Sequence, residues 1–173
     1  MINMPTITLV PMRQPTPSQL AELQRVCDEA PGYFMICEGK LAEPNQAAGW
    51  FDGHNLPPGY TEDDHFAFGI AVDGAIVGAA TMLRGWKRPD QSIVALLLLA
   101  EKYQGQGIGR TAYGLLEDVI RGWPGMRSVR IGVNEPNAPA FPFWHKMGFR
   151  ENGERHRVDK FVGDIIILEK PLP

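Results

Sequence analysis

Cysteine and long apolar runs are both scarce in this sequence. Only Cys27 and Cys37 occur among 173 residues, with no Cys-x-x-Cys pair and no clustered histidines. This pattern argues against a zinc site and favours two buried thiols, although a disulfide between them stays open. We therefore expect no metal. The longest apolar run, residues 93–100, is far shorter than the roughly 20 residues that cross a bilayer.

Three further signals are missing. The first residues do not combine a basic segment with an apolar stretch, as an export signal does, so we expect a cytoplasmic protein with no membrane partner. No basic cluster with interleaved aromatic residues occurs, which argues against nucleic acid as a partner. No serine stands in a nucleophile-elbow context, which argues against a serine hydrolase.

The composition is that of an ordinary globular protein. Hydrophobic residues make up 44% and charged residues 21% of the chain, and its length fits one domain spanning residues 1–173. The net charge of −3 is uneven: residues 1–90 carry 6 basic against 11 acidic side chains. An acidic half suits a cationic amine and a basic half a polyanionic cofactor, but scattered surface charge explains the asymmetry equally well. A homodimer stays open.

The amino-terminal part predicts a strand and a capped helix. Residues 7–10 have β propensity, and Thr16-Pro17-Ser18-Gln19 has the residues of a capping box with proline at the first helical position. Apolar residues then recur at helical spacing until Pro31-Gly32, which we expect to end the pattern. Residues 33–60 have no steady periodicity and predict a short helix or two joined by loops, serving either as a lid or as a surface connection.

A meander of three strands follows. Residues 66–72 and 75–83 flank Asp73-Gly74, which is among the strongest hairpin signals. Residues 92–100 form a third run that is apolar at nearly every position, as expected of a strand buried on both faces.

The remaining elements alternate between helix and strand. The pattern predicts an amphipathic helix from Ile108 to Pro124-Gly125, a strand over 129–133, a helix over 137–147 and a final strand over 164–168.

The segment Gln104-Gly105-Gln106-Gly107-Ile108-Gly109 joins the apolar strand to that amphipathic helix. Free N–H groups at a helix N-terminus, with about half a positive charge from the helix dipole, attract phosphate, and glycine lets a diphosphate approach the backbone. Arg110 adds a full positive charge. A glycine turn alone often serves only to reverse the chain, but neither a Rossmann fingerprint nor a P-loop occurs here.

The turn and a later block together resemble one protein family. The pattern Gln/Arg-x-x-Gly-x-Gly/Ala at Gln104, Gly107 and Gly109 resembles the pyrophosphate-binding motif of the Gcn5-related N-acetyltransferases (GNAT). Asn137, Phe143-Trp144 and Met147-Gly148-Phe149 resemble that family's downstream asparagine, aromatic pair and Leu-Gly-Phe. The resemblance covers residue 66 to the end, agrees less closely from residue 7, and is poor over 33–60.

The resemblance implies an α+β fold with a central, mostly antiparallel twisted sheet, a splayed parallel strand pair and flanking helices. It implies acetyl-CoA as cosubstrate and a small-molecule or peptide amine as acceptor. Backbone groups of the strand before the turn would bind pantetheine and polarise the thioester. The cofactor-binding residues carried over from the family are Leu97, Leu98, Leu99, Gln104, Gly105, Gln106, Gly107, Ile108, Gly109, Arg110, Asn137, Phe143 and Trp144.

The catalytic groups are less clearly indicated. An alkylammonium has a pKa of about 10.4 and must lose its proton before it attacks the thioester. Glu101, at the strand end, and Asp64 are candidates. Further candidates, each otherwise a solvated surface residue, are Glu38, Asp52, Glu62, Asp63 and His65. Trp144 stands where many family members have a tyrosine acid, and indole only donates hydrogen bonds, so its role is packing or lining the thioester pocket.

Two alternatives follow from the missing tyrosine and base. The protein could be a non-catalytic acyl-CoA-binding or sensing module, or an interaction domain whose turn binds no phosphate. For a cationic acceptor, the sequence offers an acidic run and a group of aromatic residues. These are Glu62-Asp63-Asp64 with Tyr33, Phe34, Trp50, Phe51 and Tyr60.

Overall fold

The structure, a computed structural model, describes residues 3–173 and contains one mixed β-sheet. Its strands are β1 (Ile7–Pro11), β2 (His65–Val72), β3 (Ala75–Leu83), β4 (Gln91–Leu99), β5 (Ser128–Asn134), β6 (Arg150–His156) and β7 (Ile165–Pro171). They lie in the order β1-β2-β3-β4-β5-β7-β6. Only β4 and β5 pair in parallel, and every other pair is antiparallel. The predicted fold class is confirmed.

Helices flank the sheet. They are α1 (Pro17–Asp28), α2 (Pro31–Glu38), α3 (Gln46–Phe51), α4 (Ile108–Arg121) and α5 (Ala140–Lys146), with short 3-10 turns at Glu62–Asp64 and Glu101–Tyr103. Within residues 3–173, no helix has both the length and the apolar character needed to pass through a lipid bilayer.

Local sequence signals account for the first helices. The Thr16 hydroxyl accepts a hydrogen bond from the Gln19 N–H at 3.2 Å, and the Gln19 side chain accepts one from the Thr16 N–H at 2.9 Å, which confirms the capping box. Pro31 has a different role from the one expected. α1 already ends at Asp28, and Pro31 occupies the first turn of α2, where its missing N–H leaves no hydrogen bond unmade.

The Asp73-Gly74 hairpin is confirmed by its backbone. Asp73 has φ of 49° and Gly74 has φ of 87°, so both central residues are left-handed, as a two-residue turn of matching twist requires. The turn aligns β2 with β3 in the centre of the molecule.

Two hydrophobic cores form, one on each face of the sheet. Helices α1 to α3 cover the first face, where Leu23, Phe34 and Phe51 are almost wholly buried. Helix α4 and α5 cover the other face with residues such as Leu116 and Trp144.

Both cysteines are buried and free, so they do not form a disulfide. Burial raises the pKa of the Cys27 thiol to about 12 and that of the Cys37 thiol to about 11. These thiols are therefore buried packing groups rather than nucleophiles.

The expectation that the third strand is buried on both faces was wrong at its centre. Thr81 pairs with Leu96 and Met82 with Val94, so Ala95 is an extra residue in β4 without a partner in β3. This β-bulge leaves Ala95 exposed, with Ile93 and Leu97 half-buried beside it. The face of β4 toward α1–α3 is therefore open at Ile93 and Ala95, whereas Leu97 packs against the core on the other face.

Two elements near the carboxyl end differ from the predictions. Strand β6, which is exposed along its whole length, was not predicted because its sequence lacks any apolar alternation. Helix α5 spans only Ala140–Lys146 instead of 137–147, since the preceding residues form turns ahead of Pro139.

Candidate active site

Strands β4 and β5 separate in the middle of the sheet. Their parallel pairing covers only Gln91 with Ser128, Ser92 with Val129 and Ile93 with Arg130. Beyond these three pairs, residues 94–99 of β4 have no partner strand on the β5 side. A cleft with free backbone groups along one wall therefore opens at the carboxyl end of β4.

The glycine turn closes one end of this cleft. Gly105 and Gly107 have φ of 72° and 81°, which a residue with a Cβ adopts only at a cost, and α4 begins at Ile108. The Gln104 side chain donates a hydrogen bond to the Leu99 carbonyl at 2.9 Å. The turn is thereby fixed to the end of the strand.

The turn has the properties of a diphosphate site. Among residues 3–173, no protein group accepts a hydrogen bond from the N–H groups of residues 105–110, and these groups lie at the positive end of α4. A Cβ at Gly105 or Gly107 would meet nothing within 4 Å, so the space in front of the backbone is open. Arg110 is exposed there and forms no ion pair with the described residues.

The downstream motif residues lie on the opposite wall. The Phe143 ring lies 3.5 Å from the point that a Cβ on Gly109 would occupy, so the ring packs against the turn. Asn137 is half-buried in the segment between β5 and α5, where its N–H donates to the Asn134 carbonyl at 2.9 Å. Phe143 thus packs against the turn, and Asn137 lies in the segment that follows β5.

Trp144 faces the core. It is 9% exposed and its ring packs edge-on against Tyr113 at 5.5 Å and Phe149 at 5.2 Å between centroids. Of the two roles considered for this residue, these contacts favour packing. Tyr113, which sequence reasoning did not single out, donates its hydroxyl to Glu117 at 2.7 Å, and burial together with this bond raises the pKa of Tyr113.

A cavity of about 540 Å³ opens on the α1–α3 side of the sheet. It reaches β4 at Ile93, Ala95 and Leu96, which is the bulged segment where the pairing with β5 ends. Its other walls come from α2, α3, the loop after α3, the start of β2, the end of β3, the loop after β3 and the segment between β6 and β7. These walls include Tyr33, Glu38, Gln46, Trp50, Asn55, His65, Thr81, Trp86, Lys160 and Phe161.

Two of the sequence candidates line this cavity. Glu38, for which a solvated surface position was the other option, has a side chain only 5% exposed, and its Oε1 lies 3.4 Å from Lys160 Nζ. His65 is half-buried, and burial lowers the pKa of its imidazole in spite of the nearby carboxylates of Asp52 and Glu62, which raise it. The imidazole is therefore neutral at pH 7.

The other acidic candidates lie outside the cavity wall. The Glu101 carboxylate accepts a hydrogen bond from the Gly32 N–H at 2.6 Å, at the amino end of α2. Asp64 accepts one from the Thr61 N–H at 3.1 Å. Asp63 is exposed and pairs with Arg13 at 2.6 Å.

Of the aromatic residues predicted to bind the acceptor, likewise only some line the cavity. Tyr33 and Trp50 line the cavity, whereas Phe34 and Phe51 are buried in the core. Tyr60 donates its hydroxyl to the Gly85 carbonyl at 3.1 Å. Sequence reasoning missed Lys160 and Phe161, because no local signal brings residues so late in the chain next to α2.

Comparisons with known proteins agree with this arrangement. The sequence model described as acetyltransferase (GNAT) family matches residues 11–149. An uncharacterised N-acetyltransferase of Mycobacterium tuberculosis is 35% identical over 83 residues. That match spans 48% of this chain and 51% of the relative, so the chain spans about half the length of the curated relatives it matches.

Solved structures share the fold. An acetyltransferase from Thermus thermophilus is 26% identical and superposes with a TM-score of 0.73 over 96% of this chain and 97% of that one. The PaiA N-acetyltransferase of Thermoplasma acidophilum, solved in complex with coenzyme A, is 18% identical, with a TM-score of 0.64 over 96% and 99% of the two chains. Since the family model covers most of the chain and the splayed sheet carries the matching turn, this protein belongs to the GNAT acetyltransferase family.

Proposed function

We propose that this protein transfers the acetyl group of acetyl-CoA to an amine of a small molecule or peptide. The proposal rests on one observation, which is that two candidate binding sites border the same strand. The cleft with the free amides of residues 105–110 and the 540 Å³ cavity share the bulged segment of β4 around Ala95. A donor and an acceptor bound in these two places would meet there, as direct transfer requires.

The cosubstrate would be held mainly by the backbone. The amides of residues 105–110 and the Arg110 side chain suit its diphosphate, and the open edge of β4 at Leu97, Leu98 and Leu99 suits the amide groups of pantetheine. Phe143 and Asn137 would border the cleft on the β5 side. Gln104 holds the turn in place through its bond to Leu99.

The thioester supplies the acetyl group when acetyl-CoA is bound. A neutral amine nitrogen forms a C–N bond to the acyl carbon, the C–S bond breaks, and its electron pair leaves with the sulfur. As the C–N bond forms, the nitrogen becomes acidic, and His65 is placed in the cavity wall as a neutral imidazole able to accept its proton. Water supplies the proton that the departing thiolate takes up, since Trp144 cannot donate as an acid.

The test is a pair of measurements on the whole protein. Calorimetry with coenzyme A measures binding at the turn, and release of free thiol from acetyl-CoA in the presence of primary amines, aminoglycosides and peptide N-termini measures transfer. We expect micromolar binding and turnover with at least one amine. Binding without turnover of any amine would favour the acyl-CoA-sensing module, and no binding would contradict both functions.

A further inference from the structure

Glu38 is a carboxylate withdrawn from solvent in the wall of the cavity. It is the last residue of α2, and only 5% of its side chain is exposed. No hydrogen-bond donor within residues 3–173 bonds to its side-chain oxygens, and Lys160 is the only cation there within ion-pair distance. An ionised carboxylate is costly to bury without a cationic partner. The cavity therefore has a place for a positive charge.

Lys160 shows what kind of group fits this place. Its Nζ lies 3.4 Å from Glu38 Oε1 and 5.0 Å from the centre of the Phe161 ring. The Lys160 side chain is itself about half exposed, at 51%, and its loop is joined to the end of α2 by a hydrogen bond from the Val162 N–H to the Cys37 carbonyl at 2.8 Å. A primary alkylammonium that reaches Glu38 from solvent is thus already present, in a position that another alkylammonium could take.

The walls beside Glu38 suit a cation with an apolar body. Tyr33, Trp50 and Phe161 all line the cavity, and aromatic faces attract ammonium groups while covering methylene chains. In the part of the chain that the structure describes, the titratable side chains that line the cavity besides Glu38 are Lys160, Tyr33 and His65, and His65 is neutral at pH 7. With Lys160 displaced, the cavity would hold one uncompensated negative charge.

The negative charge of Glu38 is unsuited to binding the nitrogen that is acetylated. A nearby carboxylate stabilises the protonated form of an amine and raises its pKa, which suppresses the attack on the thioester. Glu38 and Ala95 both line the cavity, which at about 540 Å³ is large enough for a molecule that carries two functional groups.

We infer that the acceptor carries at least two basic nitrogens, as in a diamine or an oligoamine, and that Glu38 binds the ammonium that is not acetylated after this ammonium displaces Lys160. The inference rests on the proposed function and specifies its acceptor. Glu38 is then a specificity-determining residue, and the Lys160 side chain is a competitor that the acceptor replaces.

The experiment compares two probes that differ only at the far end, 1,4-diaminobutane and n-pentylamine. Their Kd is measured by calorimetry on the protein saturated with coenzyme A, and their kcat/KM by thiol release from acetyl-CoA. We expect wild type to favour the diamine by about tenfold or more, as for a charge-assisted hydrogen bond. Glu38→Gln should abolish this preference, and Lys160→Met should strengthen diamine binding.

Glu43→Gln is the matched control, because Glu43 is an exposed carboxylate that pairs with Lys40 outside the cavity, and it should keep the wild-type preference. Equal affinity of wild type for both probes, no binding of either, or a preference that survives in Glu38→Gln would overturn the inference. So would weaker diamine binding by Lys160→Met, since Lys160 would then only hold its loop.

The result separates this inference from the proposed function. If the protein binds coenzyme A and acetylates n-pentylamine and the diamine at the same rate, the proposed acetyltransferase function stands. Only the proposed role of Glu38 is then contradicted. If the wild-type protein does not bind coenzyme A, the proposed function itself is contradicted. Thermal unfolding of each variant, measured alongside, shows whether Glu38→Gln is folded, and Lys160→Met provides an independent answer if it is not.

Discussion

Gly107 is the residue on which the proposed diphosphate site depends most directly. It caps α4 with φ of 81°, a conformation that costs a residue with a Cβ about 1–2 kcal/mol. The open space in front of it is where the proposed diphosphate would lie. The conformation of residue 107 and the proposed ligand contact thus both favour glycine here.

We expect Gly107→Ala to lower the free energy of unfolding by roughly 1 kcal/mol and to weaken coenzyme A binding by about tenfold or more, equivalent to about 1.4 kcal/mol. Chemical denaturation and calorimetry measure the two effects. Gly114→Ala is the control, because Gly114 is exposed in the interior of the same helix. It should raise stability by about 0.5–1 kcal/mol and leave binding unchanged. Unchanged coenzyme A binding by Gly107→Ala would contradict the proposed diphosphate site.

His65 leads to a prediction about pH. Burial lowers its pKa below the usual 6.5, so the imidazole accepts a proton at pH 7 and loses this ability as the pH falls through its own, lower pKa. We expect kcat/KM to fall on the acid side of pH 6.5, and we expect His65→Gln to reduce kcat/KM by about a hundredfold and remove that acid limb.

The control for this change is His54→Gln, in an exposed residue of the loop after α3. Rates measured from pH 5 to 9 with one amine should show the same profile for this variant and for wild type. A profile for His65→Gln that kept the acid limb would assign the proton transfer to another group.

At the scale of elements, Glu101 joins two parts of the fold that are distant in sequence. Its carboxylate accepts a hydrogen bond from the Gly32 N–H at 2.6 Å, and its own N–H donates to the Glu29 carbonyl at 2.8 Å. The short turn after β4 is thereby attached to the start of α2, between the proposed cofactor turn and the cavity. These bonds make Glu101 a positioning residue for the two elements.

Glu101→Ala should therefore lower the free energy of unfolding by about 1 kcal/mol, as the loss of a helix cap does. Glu101→Gln, which keeps an acceptor oxygen, should restore most of this stability. Denaturation measures the difference, and the pH dependence of kcat/KM should keep its shape in both variants. A folded Glu101→Gln protein with a hundredfold loss of rate would instead make Glu101 the base.

The bulge in β4 is the element that joins the two sites. In a regular strand, Ala95 would have a partner residue in β3. As the extra residue of the bulge, Ala95 has no such partner and is exposed between the cavity and the cleft. The apolar sequence of β4 has no glycine or polar residue at this point, so no local sequence signal predicts the bulge.

At the scale of the whole molecule, cosubstrate binding should stabilise the fold. Acetyl-CoA at 100 times its Kd should add about 2.7 kcal/mol to the free energy of unfolding, which for a chain of this length raises Tm by roughly 5–10 °C. Differential scanning fluorimetry measures the shift. Pantetheine, which lacks the diphosphate, should give little stabilisation at the same concentration, and an equal shift with pantetheine would place the binding energy away from residues 105–110.

Much of this protein follows from the sequence alone. The capping box at Thr16, the Asp73-Gly74 hairpin and the glycine turn before α4 are local signals, because neighbouring residues make each of their hydrogen bonds or set each dihedral angle. The motif around Gln104 and the block from Asn137 to Phe149 also identified the family correctly. Strand β6 was missed, since an exposed edge strand without apolar alternation has no local signature.

Only the tertiary structure revealed the cavity that we propose for the acceptor and the charged residues that line it. Glu38, His65 and Lys160 are remote in sequence, and what distinguishes them from other charged residues is their position against β4. Burial lowers the pKa of His65, and the approach of a later segment gives Glu38 its partner Lys160, and neither can be seen in a pattern of neighbouring residues. The sequence therefore determined the fold family and the turn, whereas long-range packing decided which side chains face the acceptor.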